Sequence, residues 1–383
     1  MIYLDNAATS WPKPEQVYVM VDKVLREYGG NSGRGSYKKS LAAGELIYET
    51  RMLCARLFHA TRPESICFTS NTTEALNLAI KGVLKPGDHV ITSTMEHNSV
   101  SRPLKQLEKR NIYTTKITTS PETGIDIYAL EEALEKNTKL VICNHISNVT
   151  GAINPIREIG ELCKRKGVLF LLDAAQSAGM KKIDVEEMNI DLLAFPGHKG
   201  LLGPQGTGGL YIRDGIILEP LKEGGTGIQS ESLIQPKNGP ERYESGTMNH
   251  PGLAGMAAGI KYILDEGLEN IESKETQLTN QLINGLEKIE GIKIYGPKVG
   301  IQRGSVISIT IDKIEPTEVA MILDNAFDIA VRAGLHCARD AHSTLGTIDK
   351  GGVVRISPNY FNTEQEIDAC IEAFKCISQG EGM

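Results

Sequence analysis

Five short apolar runs set the terms on which this chain can fold. SICFTS (65–70), HVITS (89–93), LVICNH (140–145), VLFLLD (168–173) and DLLAF (191–195) are rich in Val, Ile, Leu and Phe. They lack the strict alternation of a strand with one wet face. Helical stretches separate them, at 71–84, 100–110, 126–136 and 155–166. Continuous apolar strands alternating with helices predict a mostly parallel sheet covered by helices on both faces, an α/β fold. Upstream, Pro14 suits the first turn of a helix through EQVYVMVDKVLREY, Gly29-Gly30 stops it, and a second helix is expected over 41–59. Asn71 and Glu74 have the spacing of a capping box at the start of the 71–84 helix.

The pattern changes after residue 250. One long helical region (252–290) precedes strands near 292–296 and 304–311, a helix near 316–325, strands near 328–332 and 352–357, and a helix over 363–378. The expected organisation is an N-terminal segment (1–14) packing with a small domain, a large domain (15–250) and a smaller α+β domain (251–383).

Composition narrows the partners. Hydrophobic residues at 40% and charged residues at 23% are ordinary for a soluble globular protein and exclude a disordered or fibrous chain. A net charge of −7 with no long basic run argues against nucleic acid. MIYLDNAATS has no apolar core of a signal peptide, and no run approaches the ~20 residues that span a bilayer. Seven cysteines, an odd number without a C-x-x-C, suit a cytoplasmic chain with reduced thiols and no membrane partner.

In open parallel sheets, ligands gather beyond the carboxyl ends of the strands. Here those ends are polar: Asn71-Thr72-Thr73 after SICFTS, Glu96-His97-Asn98 after VITSTM, Asn148 after VICNHIS, Asp173 and Gln176 in LLDAAQ, and His198-Lys199 after DLLAF. A lysine in a glycine-flanked loop (PGHKGLLGPQGTG) is usually just solvated. Beside a strand-end aspartate and a helix start able to hold an anion, it can instead form a Schiff base with an aldehyde cofactor. Pyridoxal phosphate is the common case, and an aspartate at its ring nitrogen is its usual companion. Asp173 taken alone is as often a helix cap, and Thr72 and Thr73 are as often ordinary capping residues. His97 is equally open to a structural role, although an imidazole can stack on a pyridine ring and move protons near neutral pH.

MIYLDNAAT, SNTTEALN, TMEHNS, LLDAAQ, GHKGLLGPQGTG, YESGTMN, VRAGLHCA and VVRIS, in this order, resemble the cysteine desulfurases. These are class V, fold-type-I enzymes that use pyridoxal 5'-phosphate. T-x-E-H-N-S and the short stretch from Cys337 to Arg355 are closer to the SUF-type (group II) branch, which includes selenocysteine lyases. The resemblance implies that Lys199 is the Schiff-base lysine and Asp173 the pyridinium partner. Gln176 would bond the phenolic oxygen and His97 would stack over the ring and serve protonation steps. Thr72, Thr73 and His198 would hold the phosphate, joined by Thr247 from the second subunit of a homodimer. Arg355, with Asn148 nearby, would grip the substrate carboxylate, although a strand-flanking arginine is otherwise a surface charge.

Cys337 matches the thiol that takes sulfur, and its thiolate needs neighbouring cations or dipoles, for which His336, Arg332 and Arg339 are candidates in sequence. Two positions depart from the family. Pro196 stands where relatives carry a Ser or Thr that bonds the phosphate, and Tyr37 stands where a histidine is frequent.

The expected reaction converts L-cysteine to L-alanine, leaving a persulfide on Cys337 for a sulfur-acceptor protein. Selenocysteine lyase is the nearest alternative, with L-selenocysteine as substrate. Another class V reaction such as transamination, and a catalytically silent scaffold, remain open beside it. No metal is expected.

Overall fold

The computed structural model describes residues 1–32 and 35–380. A two-residue strand, β1 (Ile2–Tyr3), precedes α1 (Glu15–Glu27) and α2 (Lys38–Phe58). The large layer follows as β2 (Ile66–Thr69), α3 (Thr72–Val83), β3 (His89–Ser93), α4 (Asn98–Leu107), β4 (Tyr113–Ile117) and α5 (Ile127–Glu132). It continues through β5 (Thr138–Asn144), α6 (Ile156–Lys166), β6 (Leu169–Asp173), β7 (Leu192–Pro196) and β8 (Gly208–Ile212).

These strands form one seven-stranded sheet in the order β2-β8-β7-β6-β5-β3-β4. Strands β3 to β7 run parallel, and β8 lies antiparallel between β2 and β7. The strand period divides the side chains into two cores. Val141, Cys143, Phe170, Leu172, Leu193 and Phe195 pack on one face, while Leu140, Ile142, Leu171, Leu192 and Ala194 pack on the other. Burying both faces is why the strands read as unbroken apolar runs, and each large side chain so buried contributes about 1.5–3 kcal/mol. Register aligns Asn144 with Asp173 and Asp173 with Ala194, so the carboxyl ends of β5, β6 and β7 share one rim.

The rest of the chain contains α7 (His250–Glu266), α8 (Leu268–Leu286), β9 (Ile292–Tyr295), β10 (Ile307–Ile311) and α9 (Pro316–Phe327). It ends with β11 (Ile329–Ala330), β12 (Arg332–Gly334), α10 (Arg339–Leu345), β13 (Val353–Ile356) and α11 (Glu364–Ser378). An antiparallel sheet, β12-β13-β10-β9, carries a third core, with α8, α9 and α11 packed on it. Along α7 and α8, side chains from Leu253 to Ile271 join the core of the large sheet, and those from Leu278 to Leu286 join the smaller one. β1 pairs in parallel with β11, and Leu4 is fully buried in the smaller core.

Local chemistry accounts for the differences from the sequence reading. The single helical region expected over 252–290 is two helices, broken at Gly267 (φ 86°), which only a residue without Cβ adopts freely. Asn71 caps α3 by accepting from Glu74 N at 2.9 Å, but the Glu74 carboxylate reaches Ser70 N (2.7 Å) rather than the cap's own N–H. Strand β4, whose sequence YTTKI is largely polar, and helix α10 were not foreseen. No helix among the described residues is long and apolar enough to cross a membrane.

Candidate active site

A cavity of about 830 Å³, including its opening, lies beyond the carboxyl rim of the large sheet, where the smaller sheet closes over it. Thr72 and Thr73, His97, Asn148, Asp173 and Gln176, His198 and Lys199 all line it, so five strand ends do converge. Arg332, His336 and Arg355 enter from the smaller sheet.

Asp173 ends β6. Its Oδ1 accepts from Ala175 N (2.9 Å), and among the described residues its other oxygen carries no hydrogen bond. Burial pushes its carboxyl up to about 6, against the opposing pull of the Ala175 N–H and the Lys199 charge. Lys199 follows β7 on the Pro196–Gly200 turn. Burial, then the Arg355 charge, pushes its ammonium down to about 8, while Asp173 pulls the other way. An amine near neutrality beside a carboxyl lacking its second partner is the pair that an aldehyde-bearing, basic heterocycle requires.

His97 caps α4, and the geometry fixes its tautomer. Ser99 N donates to His97 Nδ1 at 3.1 Å, so the neutral ring carries its proton on Nε2. Burial, then Lys199, Arg332, Arg355 and Arg102, pushes the ring down to about 4. Ser99 Oγ lies 2.8 Å from His97 Nδ1 and 2.8 Å from Thr73 Oγ1, linking His97 to the start of α3. Thr72 and Thr73 occupy the first two positions of that helix, where backbone N–H groups precede the ladder and favour an anion. His198 adds a buried Nδ1 with no partner among the described residues, on the same cavity wall. Gln176 Nε2 donates to Ala7 O (3.0 Å). Together these donors, the free carboxylate oxygen and the amine fit pyridoxal 5'-phosphate.

Arg355 sits on β13 and is only 2% exposed, so the surface-charge reading is corrected. One guanidinium nitrogen donates to Asp5 Oδ1 (2.9 Å) and another to Asn148 O (3.2 Å), while Nε is buried and unpartnered. Asn148 Nδ2 donates to His336 O at 2.8 Å, so its amide holds the loop that bears Cys337. Cys337 itself is exposed, and its carbonyl accepts from Asn98 N (2.7 Å) beside His97. His336 and Cys337 are both left-handed (φ 45° and 55°), a sharp turn that L-residues rarely adopt in succession. His336 is buried, its Nε2 donates to Val353 O (3.2 Å), and burial followed by Arg355 pushes it down to about 2. It is therefore neutral and is not a cation for the Cys337 thiol, contrary to the sequence expectation.

Two further candidates lie elsewhere. Thr247 is exposed in a separate recess with Ser70, Glu74 and Lys222, so a single chain does not bring it to the cavity. Tyr37 is exposed at the start of α2 and does not line the cavity either. Pro196 closes β7 paired with Gly208 and offers no donor. Sequence reasoning missed Ser99 and gave Glu96 no role beyond its place at a polar strand end. Glu96 is fully buried, its Oε1 accepts from Ser93 Oγ (2.5 Å) and Asn144 N (3.3 Å), and burial pushes it up to about 8. Its signal in sequence was its place at that strand end, next to His97. Among the described residues no group of three or more His, Cys, Asp or Glu could hold a metal.

The profile of the class-V aminotransferase family matches residues 2–370. A probable cysteine desulfurase of Methanothermobacter thermautotrophicus is 37% identical over 98% of this chain and 94% of its own length. A cysteine desulfurase of Haloferax volcanii is 32% identical over 97% and 88%. The apo structure of cysteine desulfurase from Thermococcus onnurineus superposes with a TM-score of 0.93 at 36% identity, covering 99% of this chain and 95% of that one. The cysteine desulfurase CsdA of Escherichia coli gives 0.89 at 26% identity, with the same coverage. With its polar strand ends gathered in one cavity and likeness over nearly its full length, the chain belongs to the class-V aminotransferase family, in its cysteine desulfurase branch.

Proposed function

We propose that the protein is a cysteine desulfurase dependent on pyridoxal 5'-phosphate. It would convert L-cysteine to L-alanine and retain the sulfur as a persulfide on Cys337 for an acceptor. The observation that carries this reading is a single cavity presenting Lys199, Asp173, His97 and Arg355, with the exposed Cys337 tied to its edge through Asn98. Lys199, Asp173, Gln176, His97, Thr72, Thr73 and His198 would hold the cofactor, and Thr247 would do so from a second copy in a homodimer. When bound, the cofactor supplies an electron-accepting ring that makes the substrate Cα proton acidic.

The chain's own groups do the rest. Asp173 places negative charge where the ring nitrogen needs a proton. Lys199 Nζ, with its ammonium brought down to about 8, is neutral often enough near pH 7–8 to take the Cα proton. His97, neutral above pH ~5 with its proton on Nε2, offers that N–H to the reacting group as a hydrogen-bond donor. Arg355 offers a planar guanidinium to the substrate carboxylate. Cys337, as thiolate, attacks the substrate sulfur. An S–S bond forms, the Cβ–S bond breaks, and two protons restore alanine, so L-cysteine plus thiol gives L-alanine plus persulfide without an external oxidant.

Purified protein should be yellow with a borohydride-sensitive absorption that Lys199→Ala loses. Cys337→Ala should keep the colour and lose alanine release from L-cysteine. Unchanged alanine release in Cys337→Ala would refute the persulfide step, and retention of turnover with L-selenocysteine alone would assign the lyase activity instead.

A further inference from the structure

We propose that the rim around Cys337 is a docking surface for an acceptor whose thiol is flanked by carboxylates. This rests on the persulfide reading above and adds the chemistry of the partner. Three arginines lie on the elements that meet at Cys337, and none has an ion pair or side-chain hydrogen bond among the described residues. Arg332 lines the cavity mouth from β12, Arg339 opens α10 two residues after Cys337, and Arg102 projects from α4. All three are exposed.

Contacts bring these elements together. Asn98 N, at the start of α4, donates to Cys337 O, and Ser101 Oγ reaches Asp340 Oδ2 (3.4 Å), so the neighbours of Arg102 and Arg339 touch. Arg102 and Arg332 both lie near enough to oppose protonation of His97. The carboxylates bonded to the same elements are already matched. Asp340 pairs with Lys116 at 2.5 Å, and Asp5 pairs with Arg355 at 2.9 Å.

An uncompensated positive rim on a chain of net charge −7 is a local reversal of sign. Such a reversal attracts and orients an oppositely charged partner, and it disfavours a basic one. Leu335, 38% exposed beside Cys337, adds an apolar contact within the charged ring. The three arginines make no ion pair or side-chain hydrogen bond among the described residues, and their place beside the one exposed cysteine points to a binding task.

The test uses holoenzyme loaded with sulfur by L-cysteine, then mixed with peptides bearing one cysteine flanked by Glu, by Ser or by Lys. In each transfer the persulfide S–S bond breaks, Cys337 thiolate leaves, and a new S–S bond forms on the peptide. At low salt the Glu peptide should accept sulfur on the order of tenfold faster than the Lys peptide. The advantage should collapse at ~0.5 M NaCl, where the screening length is only a few ångströms. Arg102→Glu/Arg339→Glu should invert the order of the three peptides, read as ratios on one sulfur-loaded preparation so that any change in alanine release cancels. Equal rates for the three peptides, or an order indifferent to charge reversal, would overturn the proposal.

If no sulfur appears on Cys337, the functional reading has failed and the rim is tested on the free thiol. A dianionic aromatic disulfide should then modify Cys337 faster than an uncharged one in the wild type and lose that lead in the double variant. Equal modification by both reagents would overturn the proposal independently.

Discussion

Asp173 carries a cost in the folded chain that, on the proposed reading, a bound cofactor would relieve. Its carboxyl titrates near 4 when unfolded and is pushed up to about 6 by burial. Between those values the folded state holds the extra proton, so stability falls as pH rises through that window, and the deficit is complete above it. Asp173→Asn keeps an oxygen for Ala175 N and removes the charge. In cofactor-free protein it should raise stability by about 1–3 kcal/mol at pH 8 and by nothing measurable near pH 3, below both values. Melting curves at the two pH values check this, and a lower Tm for the variant at pH 8 would contradict it. Ser99→Ala should weaken cofactor binding about fivefold in an absorbance titration, the value of one hydrogen bond, because the bridge from Thr73 to His97 is lost. At this scale the sequence was most informative where residue type and strand end coincide, as at Asp173 and Lys199. Ser99 stayed invisible, and Glu96 stayed without a role, because their importance lies in contacts with Thr73, Ser93 and Asn144, which no local pattern encodes. His336 was misread for the same reason: only packing shows that it is neutral.

Among the elements, the segment leading to Thr247 is held by an internal ion pair. Arg51 on α2 and Glu244 form a bidentate pair, and Glu244 also accepts from Phe68 N at 2.6 Å, while Arg51 donates to Ile66 O at 2.5 Å. Both partners are buried, so the pair fixes Tyr243–Asn249 against α2 and β2. Removing one member strands the other charge and the Phe68 N–H. Glu244→Ala should therefore cost about 3–5 kcal/mol, whereas Glu49→Ala, which breaks an exposed pair with Lys261, should cost less than about 1 kcal/mol. Chemical denaturation of both variants checks the contrast. Elements with a single clear period were legible from sequence: β3 and α6 fall within a residue or two of expectation. YTTKI was not, because β4 is an edge strand whose exposed residues are polar. Nor was α10, seven residues whose turns are set by burial of Ala341 and His342 rather than by amphipathic repeat.

Across the whole molecule, the first ten residues are the stitch between the two layers. Leu4 N donates to Ala330 O (2.9 Å) and Ser357 N to Leu4 O (2.7 Å), which binds the segment to the smaller sheet. Asp5 holds Arg355, Ala7 O accepts from Gln176, and Ser10 N donates to His198 O (3.0 Å), which binds it to both walls of the cavity. The change of period near residue 250 was legible in sequence, but the change of core falls between Ile271 and Leu278, because a helix can keep its period while exchanging the sheet it packs on. A chain terminus normally exchanges its amide hydrogens fastest. Here the amides of Ile2, Leu4 and Asn6 are bonded to Asp328, Ala330 and Ser357 carbonyls, and should exchange in the slow class of the smaller core. Leu4→Ala should cost about 2–5 kcal/mol and speed exchange at all three amides together. It should also raise KM for L-cysteine more than it lowers kcat, since Asp5 then holds Arg355 less firmly. Fast exchange of these amides in the wild type, or a KM untouched by Leu4→Ala, would show that the segment does not tie the substrate clamp to the fold.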